Sequence, residues 1–377
     1  MSFFHLENND SQARAGLITL HNNRTIRTPV FMPVGTRGTV KAISQQELRE
    51  LDIEIILCNT YHLYLRPGHQ LIEQTSSGLH KFISWDRGIL TDSGGYQVYS
   101  LAPLRKISEE GVFFKSHIDG SAHLLTPEKS IEIQRSLNSD IVMCFDECPG
   151  LPAPYEILDK SVELTARWAK RCLSVPLNKG QNIFAIIQGG LNLDLRMKSL
   201  ELLKDSDNDN AFAGYALGGL SVGEKNEEMV ELCEKFVPHM PKNKPRYLMG
   251  VGTPLDILRG ISNGIDMFDC VLPCRNARNG QAFTTRGPLN IKNSRFTMDT
   301  GPLDPDCECK VCKNYSRTYL RHLYLVGEYL AGQLLTYHNL HFYTQMVRQA
   351  REAILQNKFK EYFERFLVNY SSARWTS

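Results

Sequence analysis

Short apolar runs recur along most of the chain, and they alternate with segments in which apolar residues follow a helical spacing. The eight runs occupy residues 28–34, 53–59, 88–93, 140–146, 183–188, 215–220, 246–251 and 265–269. Strand-helix alternation repeated eight times, with no second pattern, predicts a parallel (β/α)8 barrel. A doubly wound open sheet is the alternative fold. No glycine-rich dinucleotide-binding turn follows the first run, which disfavours that alternative.

The segments between the runs contain helix start signals. The clearest is Thr126-Pro127-Glu128, which combines a capping residue with a proline at the first helical position. Further helical patterns occupy residues 154–173, 195–203, 224–236 and 254–263.

Polar residues follow the predicted strands, where the loops of a (β/α)8 barrel hold its active site. Three carboxylates, two carboxamides and two glycines are among the residues expected on this rim: Asn59, Asp92, Ser93, Asp146, Cys148, Gln188, Gly218, Gly219, Met249 and Asp269. Glycine lets backbone N–H groups approach a flat ligand closely. Carboxylates accept hydrogen bonds from a ligand that is rich in N–H donors.

The last of these runs ends at Asp269, and the loop after it contains Arg275 and Arg278. From residue 270 to residue 298 there are five basic residues and no acidic one. This spacing predicts contact with a phosphate-rich ligand.

The alternation stops after Asp269, and a cysteine cluster follows. Cys307, Cys309 and Cys312 supply three soft ligands, and His338 follows 26 residues later. A set of three cysteines and one histidine suits tetrahedral, structural Zn²⁺. His341 and His322 are competitors for the fourth position. Residues 317–367 are predicted to be helical throughout. We expect one catalytic domain over residues 1–377, with a zinc-binding part near 300–345 and terminal helices to 370.

Composition limits the other possibilities. The 377 residues are 42% hydrophobic and 22% charged, with a formal net charge of +2, so any binding of nucleic acid must come from local patches. No apolar run approaches the roughly 20 residues that span a bilayer, and the N-terminus does not have the pattern of a signal peptide. Ten cysteines without a secretory signal favour a reducing compartment. We therefore expect a cytoplasmic protein without a membrane segment.

Six motifs, in order, resemble the bacterial type of the tRNA-guanine transglycosylase family, the base-exchange enzymes of queuosine biosynthesis. They are TDSGGYQ at 91–97, FDEC at 145–148, IQGG at 187–190, GGLSVGE at 218–224, MFDCVLPCRNARNG at 267–280 and the Cys3His set. The resemblance runs from about Arg14 to Leu340. It implies a zinc-bearing (β/α)8 barrel.

The resemblance also implies the chemistry. Guanine at the anticodon wobble position of a tRNA with a G-U anticodon would be exchanged for a deazaguanine by two displacements, through a covalent sugar-enzyme intermediate. Asp269 would be the nucleophile and Asp92 the general acid/base. The target nucleotide must leave its stack, which favours a single-stranded loop as substrate.

Roles in binding follow in the same way. Asp146 would accept from the guanine edge, and Gln188 and the Gly219 N–H would donate to the base carbonyl. Arg275 and Arg278 would grip the flanking nucleotides. Tyr96 and Met249 would sandwich the ring, and the other residues implied at the base are Ser93, Cys148 and Leu220. Family members form homodimers through the zinc-bearing region, which we expect here.

Val222 predicts the incoming base. The bacterial-type enzymes have valine at this position, whereas those that take the bulkier queuine have glycine, so 7-aminomethyl-7-deazaguanine is expected. Queuine incorporation and a non-catalytic tRNA-binding subunit are the alternatives, and retention of Asp92 and Asp269 disfavours the second. An archaeosine-type exchange is disfavoured because we expect no long additional RNA-binding domains, and a zinc hydrolase because the metal set leaves no open position.

Overall fold

Eight parallel strands close into a barrel in the computed structural model, which describes residues 2–101, 105–207, 210–221 and 223–371. The strands of this part of the chain are β1 Phe4–Asp10, β2 Ala13–Thr19, β3 Thr25–Thr28, β4 Val30–Pro33, β5 Ile55–Cys58, β6 Gly88–Thr91, β7 Arg105–Ile107, β8 Val112–Lys115, β9 Ala122–Leu125, β10 Ile141–Met143, β11 Asn182–Ile187, β12 Gly214–Leu217, β13 Arg246–Leu248, β14 Met267–Cys270, β15 Gln281–Thr284 and β16 Gly287–Asn290.

The barrel strands pair in the order β4-β14-β13-β12-β11-β10-β6-β5, always in parallel. A parallel bridge between Val34 and Leu57 closes the ring from β4 to β5. Each of the eight predicted runs overlaps one of these strands, so the predicted barrel is confirmed and the open sheet is excluded.

Helices surround the barrel and extend beyond it. They are α1 Gln45–Glu50, α2 Thr60–Leu65, α3 His69–Ser76, α4 Leu79–Phe82, α5 Gly95–Leu101, α6 Pro127–Leu137, α7 Tyr155–Leu173, α8 Leu193–Ser206, α9 Asn226–Phe236, α10 Pro254–Ser262, α11 Leu272–Arg278, α12 Lys310–Asn314, α13 Arg317–Leu325, α14 Tyr329–Leu355 and α15 Phe359–Ser371. At the predicted start of α6, the side chain of Thr126 accepts from the Lys129 N–H at 3.1 Å. Among the described helices, none has both the length and the apolar character needed to cross a membrane.

Two predictions about the pattern were wrong. The tail from residue 317 is not one helix but three, separated by breaks near Gly327 and Asn357, both of which have positive φ. The alternation is also not the only pattern, because antiparallel sheets β1-β2-β3, β7-β8-β9 and β15-β16 accompany the barrel. Apart from the central strand β2, their strands expose one face or lie at an edge, so they lack the long apolar runs that mark the barrel strands.

The barrel strands are buried on both faces, and alternate residues enter two different cores. Residues that point into the barrel form one buried cluster, which includes Met32, Ile55, Leu90, Phe184, Ile186, Tyr247 and Met267. Their neighbours along each strand pack outward against the helices, as Ile56, Ile89, Ala185 and Phe268 do. Because the side-chain period of a strand is two, Asn59, Asp92 and Asp269 continue the inward rows at the carboxyl ends. The fold therefore directs these polar groups to one end of the barrel.

Candidate functional site at the carboxyl end of the barrel

A cavity of about 470 Å³ opens at the carboxyl ends of the barrel strands, and we call it the rim cavity. Predicted residues in its lining are Asp92, Ser93, Tyr96, Asp146, Cys148, Gly219, Leu220, Met249, Asp269 and Arg275. Gln188 and Arg278 do not line it. The volume suits a small ligand that is largely enclosed by protein.

A second cavity, of about 610 Å³, lies at the opposite end of the barrel, between the starts of β4 and β5 and helices α14 and α15. Ion pairs line part of its wall, where Arg27 and Arg348 both contact Asp52. Because it contains none of the predicted residues, we assign the chemistry to the rim cavity.

Asp92 is buried at the end of β6 and is held by the end of β5. The Asn59 amide donates to its Oδ2, and the Thr60 N–H donates to its Oδ1 at 2.8 Å. Burial raises the pKa of Asp92 to about 7, the donors from Asn59 and Thr60 oppose that rise, and the charge of Asp269 adds to it. A carboxyl group with this pKa can both give and take a proton near neutral pH.

Asp269 lies across the rim cavity at the end of β14. Its Oδ1 accepts from the Tyr247 hydroxyl at 2.6 Å and from the Gly250 N–H at 2.7 Å. Burial raises the pKa of Asp269, and both donors oppose the rise because they bind the ionised form. Donors on one oxygen leave Oδ2 available to a ligand.

Asp146 forms a small network with its neighbours. The Ser93 hydroxyl donates to Oδ1 at 2.9 Å, and the Gln188 amide donates to Oδ2 at 2.7 Å. Burial raises the pKa of Asp146, whereas the donors from Gln188 and Ser93 lower it. Gln188 is only 1% exposed, so it supports the wall of the rim cavity from behind.

The remaining base-binding candidates differ in exposure. Cys148 and Leu220 are buried in the wall, whereas Tyr96 is 44% exposed and Met249 is partly exposed. A half-exposed ring and a flexible thioether at the cavity leave room for a planar ligand between apolar surfaces.

The two arginines after β14 both belong to α11. Arg275 is exposed and lines the mouth of the rim cavity. Arg278 is one turn further on and is exposed outside the cavity, where its Nε donates to the Cys274 carbonyl at 3.3 Å. The helix therefore directs one cation to the cavity and one to the adjoining surface.

Sequence reasoning missed two residues that organise this site. Tyr247 holds Asp269, and the fully buried Arg196 on α8 donates to backbone carbonyls behind the rim. Arg196 occupies the apolar stripe of its helix with Ser199 and Leu203, at a spacing of three and seven residues. An arginine within the apolar stripe of an amphipathic helix is the sequence feature that could have revealed this residue. Val222 lies outside the described residues.

The cysteine cluster is assembled as predicted. The Sγ atoms of Cys307, Cys309 and Cys312 and one nitrogen of His338 all lie within 4.8 Å of one another. The Nδ1 of His338 is 3.8, 3.5 and 3.4 Å from the three sulfurs. Tetrahedral zinc bonded to sulfur and nitrogen would need separations of about 3.5 Å. These four residues could therefore bind a metal ion.

The orientation of His338 is fixed by its second nitrogen. Nε2 lies 2.8 Å from the Phe283 carbonyl, which can only accept, so Nε2 carries the proton and Nδ1 faces the thiols. His341 approaches Cys307 alone, at 3.5 Å, and does not belong to the group of four. The next residue along α14, Asn339, bonds the carbonyls of Pro273 and Gln281 at 3.0 Å each.

The chain is similar to known proteins over nearly its whole length. A family model described as queuine tRNA-ribosyltransferase matches residues 9–372. A queuine tRNA-ribosyltransferase of Fusobacterium nucleatum is 55% identical over 369 residues, which cover 97% of this chain and 98% of that protein. The relative of the same name from Caldanaerobacter subterraneus subsp. tengcongensis is 54% identical over 365 residues, covering 97% and 96%. That from Nitratidesulfovibrio vulgaris is 54% identical over 370 residues, covering 97% of each chain.

Proposed function

The chain belongs to the queuine tRNA-ribosyltransferase family, and we propose that it exchanges guanine at the anticodon wobble position of tRNA for 7-aminomethyl-7-deazaguanine. This makes it a pentosyltransferase, a tRNA-guanine transglycosylase. The observation that supports the proposal is the pair of buried carboxylates, Asp92 and Asp269, in one cavity but with different hydrogen-bond partners.

In the first displacement, a carboxylate oxygen of Asp269 attacks C1′ of the ribose and forms a C–O bond. The C1′–N9 bond breaks, and its electron pair leaves with guanine. Asp92, whose pKa of about 7 leaves it partly protonated at neutral pH, gives its proton to the departing base. The donors from Tyr247 and Gly250 stabilise the ionised form of Asp269 that the attack requires.

In the second displacement, the incoming base loses its N9 proton to Asp92, and N9 attacks C1′. The bond between C1′ and Asp269 breaks, and the carboxylate leaves with the electron pair. Two inversions retain the configuration at C1′, as in retaining glycosidases.

Recognition of the base follows from the inner wall. Asp146 accepts from the N–H groups of the guanine edge, and the Gly219 N–H donates to the carbonyl. Gln188, which does not line the cavity, orients Asp146 instead of contacting the base. Tyr96 and Met249 enclose the ring. The valine at position 222 supports the aminomethyl base over queuine, since glycine is expected where the bulkier base is taken.

The tRNA would present a single-stranded anticodon loop, because the target base must leave its stack to enter the cavity. Arg275 and Arg278 then contact the flanking nucleotides. Cys307, Cys309, Cys312 and His338 would hold a structural Zn²⁺ ion, which stabilises the fold around them and takes no part in the reaction. We propose that barrel and metal region act as one catalytic domain and that two chains form a homodimer through the metal region.

Exchange of labelled guanine into an unmodified tRNA with a G-U anticodon tests this function. Wild type should incorporate label, Asp269→Asn should not, and Asp194→Asn, at an exposed position on α8, should behave like wild type. No incorporation by folded, metal-loaded wild type would overturn the proposal and favour a non-catalytic tRNA-binding subunit.

The same assay identifies the incoming base. Unlabelled 7-aminomethyl-7-deazaguanine should compete with labelled guanine much better than queuine does. Equal competition by queuine would refute the proposed choice of base, while leaving the exchange reaction intact.

A further inference from the structure

Arg196 is a fully buried arginine behind the rim cavity. Its Nε donates to the Gly190 carbonyl at 2.9 Å, and its Nη1 donates to the carbonyls of Ile187 and Gly218 at 2.7 and 2.8 Å. Within the described part of the chain, its Nη2 finds no hydrogen-bond partner. The guanidinium thus binds the backbone of the two loops that follow β11 and β12.

The bond to Gly218 determines where the next N–H points. In a trans peptide the C=O and the following N–H point in opposite directions. Because Arg196 holds the Gly218 oxygen on the far side of the loop, the Gly219 N–H is directed away from Arg196, toward the rim cavity that Gly219 lines. Among the described residues no acceptor pairs with this N–H.

Only glycine fits at this peptide. Gly219 has a φ of +64°, in the region that other residues rarely adopt. A Cβ there would lie 2.4 Å from Oε1 of Gln188, and one at Gly218 would lie 2.7 Å from its Nε2. The Gln188 amide, which also donates to Asp146, therefore packs directly against the peptide that Arg196 holds.

The charge of Arg196 is costly to bury. Burial lowers the pKa of Arg196 to about 10, so the group remains protonated at neutral pH. A cation bound to the carbonyl of a peptide increases the polarity of that peptide and strengthens the N–H on its other side as a donor. That N–H then favours a ligand carbonyl and disfavours a ligand N–H at the same place.

We propose that Arg196 is a positioning residue for base selection. It aims and polarises the Gly219 N–H, so that the pocket selects a purine with a carbonyl oxygen on the edge that faces Gly219. This inference rests on the proposed base exchange and adds the group that sets its preference at one edge of the base. Asp146, which would face the exocyclic amino group, is not itself a hydrogen-bond partner of Arg196.

The test compares three purines as competitors of labelled guanine: guanine, hypoxanthine, which keeps the carbonyl but lacks the amino group, and 2-aminopurine, which keeps the amino group but lacks the carbonyl. In Arg196→Gln, the inhibition constants of guanine and hypoxanthine should rise about tenfold, and that of 2-aminopurine should stay the same. Arg196→Lys retains the charge and should restore most of the preference for guanine over 2-aminopurine.

Arg246→Gln is the matched control for Arg196→Gln. Arg246 is also buried, has a pKa lowered to about 10 by burial, and donates to backbone carbonyls, among them that of Met240 at 2.8 Å. It lies at the amino end of β13, away from the rim cavity. Thermal unfolding should show a comparable loss of stability for the substitutions at Arg196 and Arg246. The ratio of the inhibition constants of guanine and 2-aminopurine should change only for the substitution at Arg196.

The outcomes separate the two proposals. If wild type catalyses the exchange and Arg196→Gln leaves the ratio of the inhibition constants of guanine and 2-aminopurine unchanged, the role of Arg196 is overturned. The proposed base exchange is then unaffected. An equal rise for all three purines also overturns it, because it indicates a general loosening of the pocket. No exchange by wild type overturns the proposed function itself.

Discussion

The hydroxyl of Tyr247 donates to Asp269 over 2.6 Å, from a tyrosine that is completely buried inside the barrel. The same oxygen of Asp269 accepts the Gly250 N–H, so both donors to the carboxylate come from β13 and the loop that follows it. Asp92 is instead held by an amide and a backbone N–H from the end of β5. The two acids therefore differ in their donors although both are buried.

Replacing Tyr247 with phenylalanine should slow the exchange most strongly at low pH. Loss of a donor to the ionised form raises the pKa of Asp269, so a smaller fraction is ionised in weakly acidic solution. A hydrogen bond to a charged group contributes about 1.5–3 kcal/mol, which predicts a loss of roughly 10- to 100-fold on the acidic side of the pH-rate profile. The pH-rate profile of guanine exchange measures this.

Tyr215→Phe is the control for that substitution. Tyr215 is equally buried and donates to Asp207 at 3.1 Å, outside the rim cavity. The substitution should lower thermal stability without changing the pH-rate profile of the exchange. Superimposable profiles for Tyr247→Phe and wild type would contradict the role given to the Tyr247 hydroxyl.

Release of guanine should slow above neutral pH because Asp92 must be protonated to act on the departing base. With a pKa of about 7, each further pH unit should reduce the single-turnover rate about tenfold. The single-turnover rate of Asp92→Asn should be much lower and should not show this decrease above neutral pH. A wild-type rate that stays constant from about pH 6 to pH 9 would rule out Asp92 as the acid.

The same pKa shift has a consequence for stability. Folded Asp92 holds its proton more tightly than the unfolded chain does, because its pKa is raised from 3.8 to about 7. The contribution of Asp92 to the free energy of unfolding is present below about pH 4 and is lost as the pH rises through about 7. The melting temperature of Asp92→Asn, relative to that of wild type, should therefore be higher at pH 8 than at pH 5. Calorimetry at both pH values measures it, with Asp194→Asn as the control that should show a constant difference.

Metal analysis should find one ion per chain in wild type and almost none in Cys309→Ser. The melting temperature of the variant should fall by on the order of 5–10 °C, since binding at a structural site contributes to folding. His341→Ala should keep its metal, because His341 approaches only Cys307. Loss of the ion from His341→Ala with retention in His338→Ala would reverse the assignment of the histidine.

Arg275→Ala should raise KM for tRNA roughly tenfold and reduce the slope of log affinity against log salt by about 1. Arg278→Ala should act in the same direction, from the surface beside the cavity. KM for free guanine should stay unchanged in both, because neither residue belongs to the base-binding wall. Lys235→Ala, on the exposed face of α9, should leave both constants unchanged. A raised KM for guanine would contradict this separation.

The sequence was sufficient to locate the barrel because parallel strands buried on both faces are nearly continuous apolar runs. The residues after those runs, such as Asp92 and Asp269, could be assigned to one cavity because parallel strands end on the same side. The family predicted from six motifs is confirmed by the match over residues 9–372.

The short antiparallel strands and two residues of the site could not be predicted from the periodicity of apolar residues. The strands β7, β8 and β9 are three or four residues long and partly exposed, so their pattern resembles that of a loop. Tyr247 lies inside an apolar run, where an aromatic residue is expected to pack in the core. Arg196 could be recognised only once its burial and its three carbonyl partners were visible.

Adjacent residues of α14 serve two parts of the molecule. His338 belongs to the cysteine cluster, and Asn339 donates to the carbonyl of Pro273, in the first turn of the helix that contains Arg275, and to that of Gln281, just beyond the end of this helix. A change that displaces this turn of α14 should therefore shift the helix that contains Arg275, while the barrel ring, in which every strand is hydrogen-bonded on both sides, stays closed. Damage to the metal region should therefore weaken the proposed binding of RNA before it displaces Asp92 and Asp269.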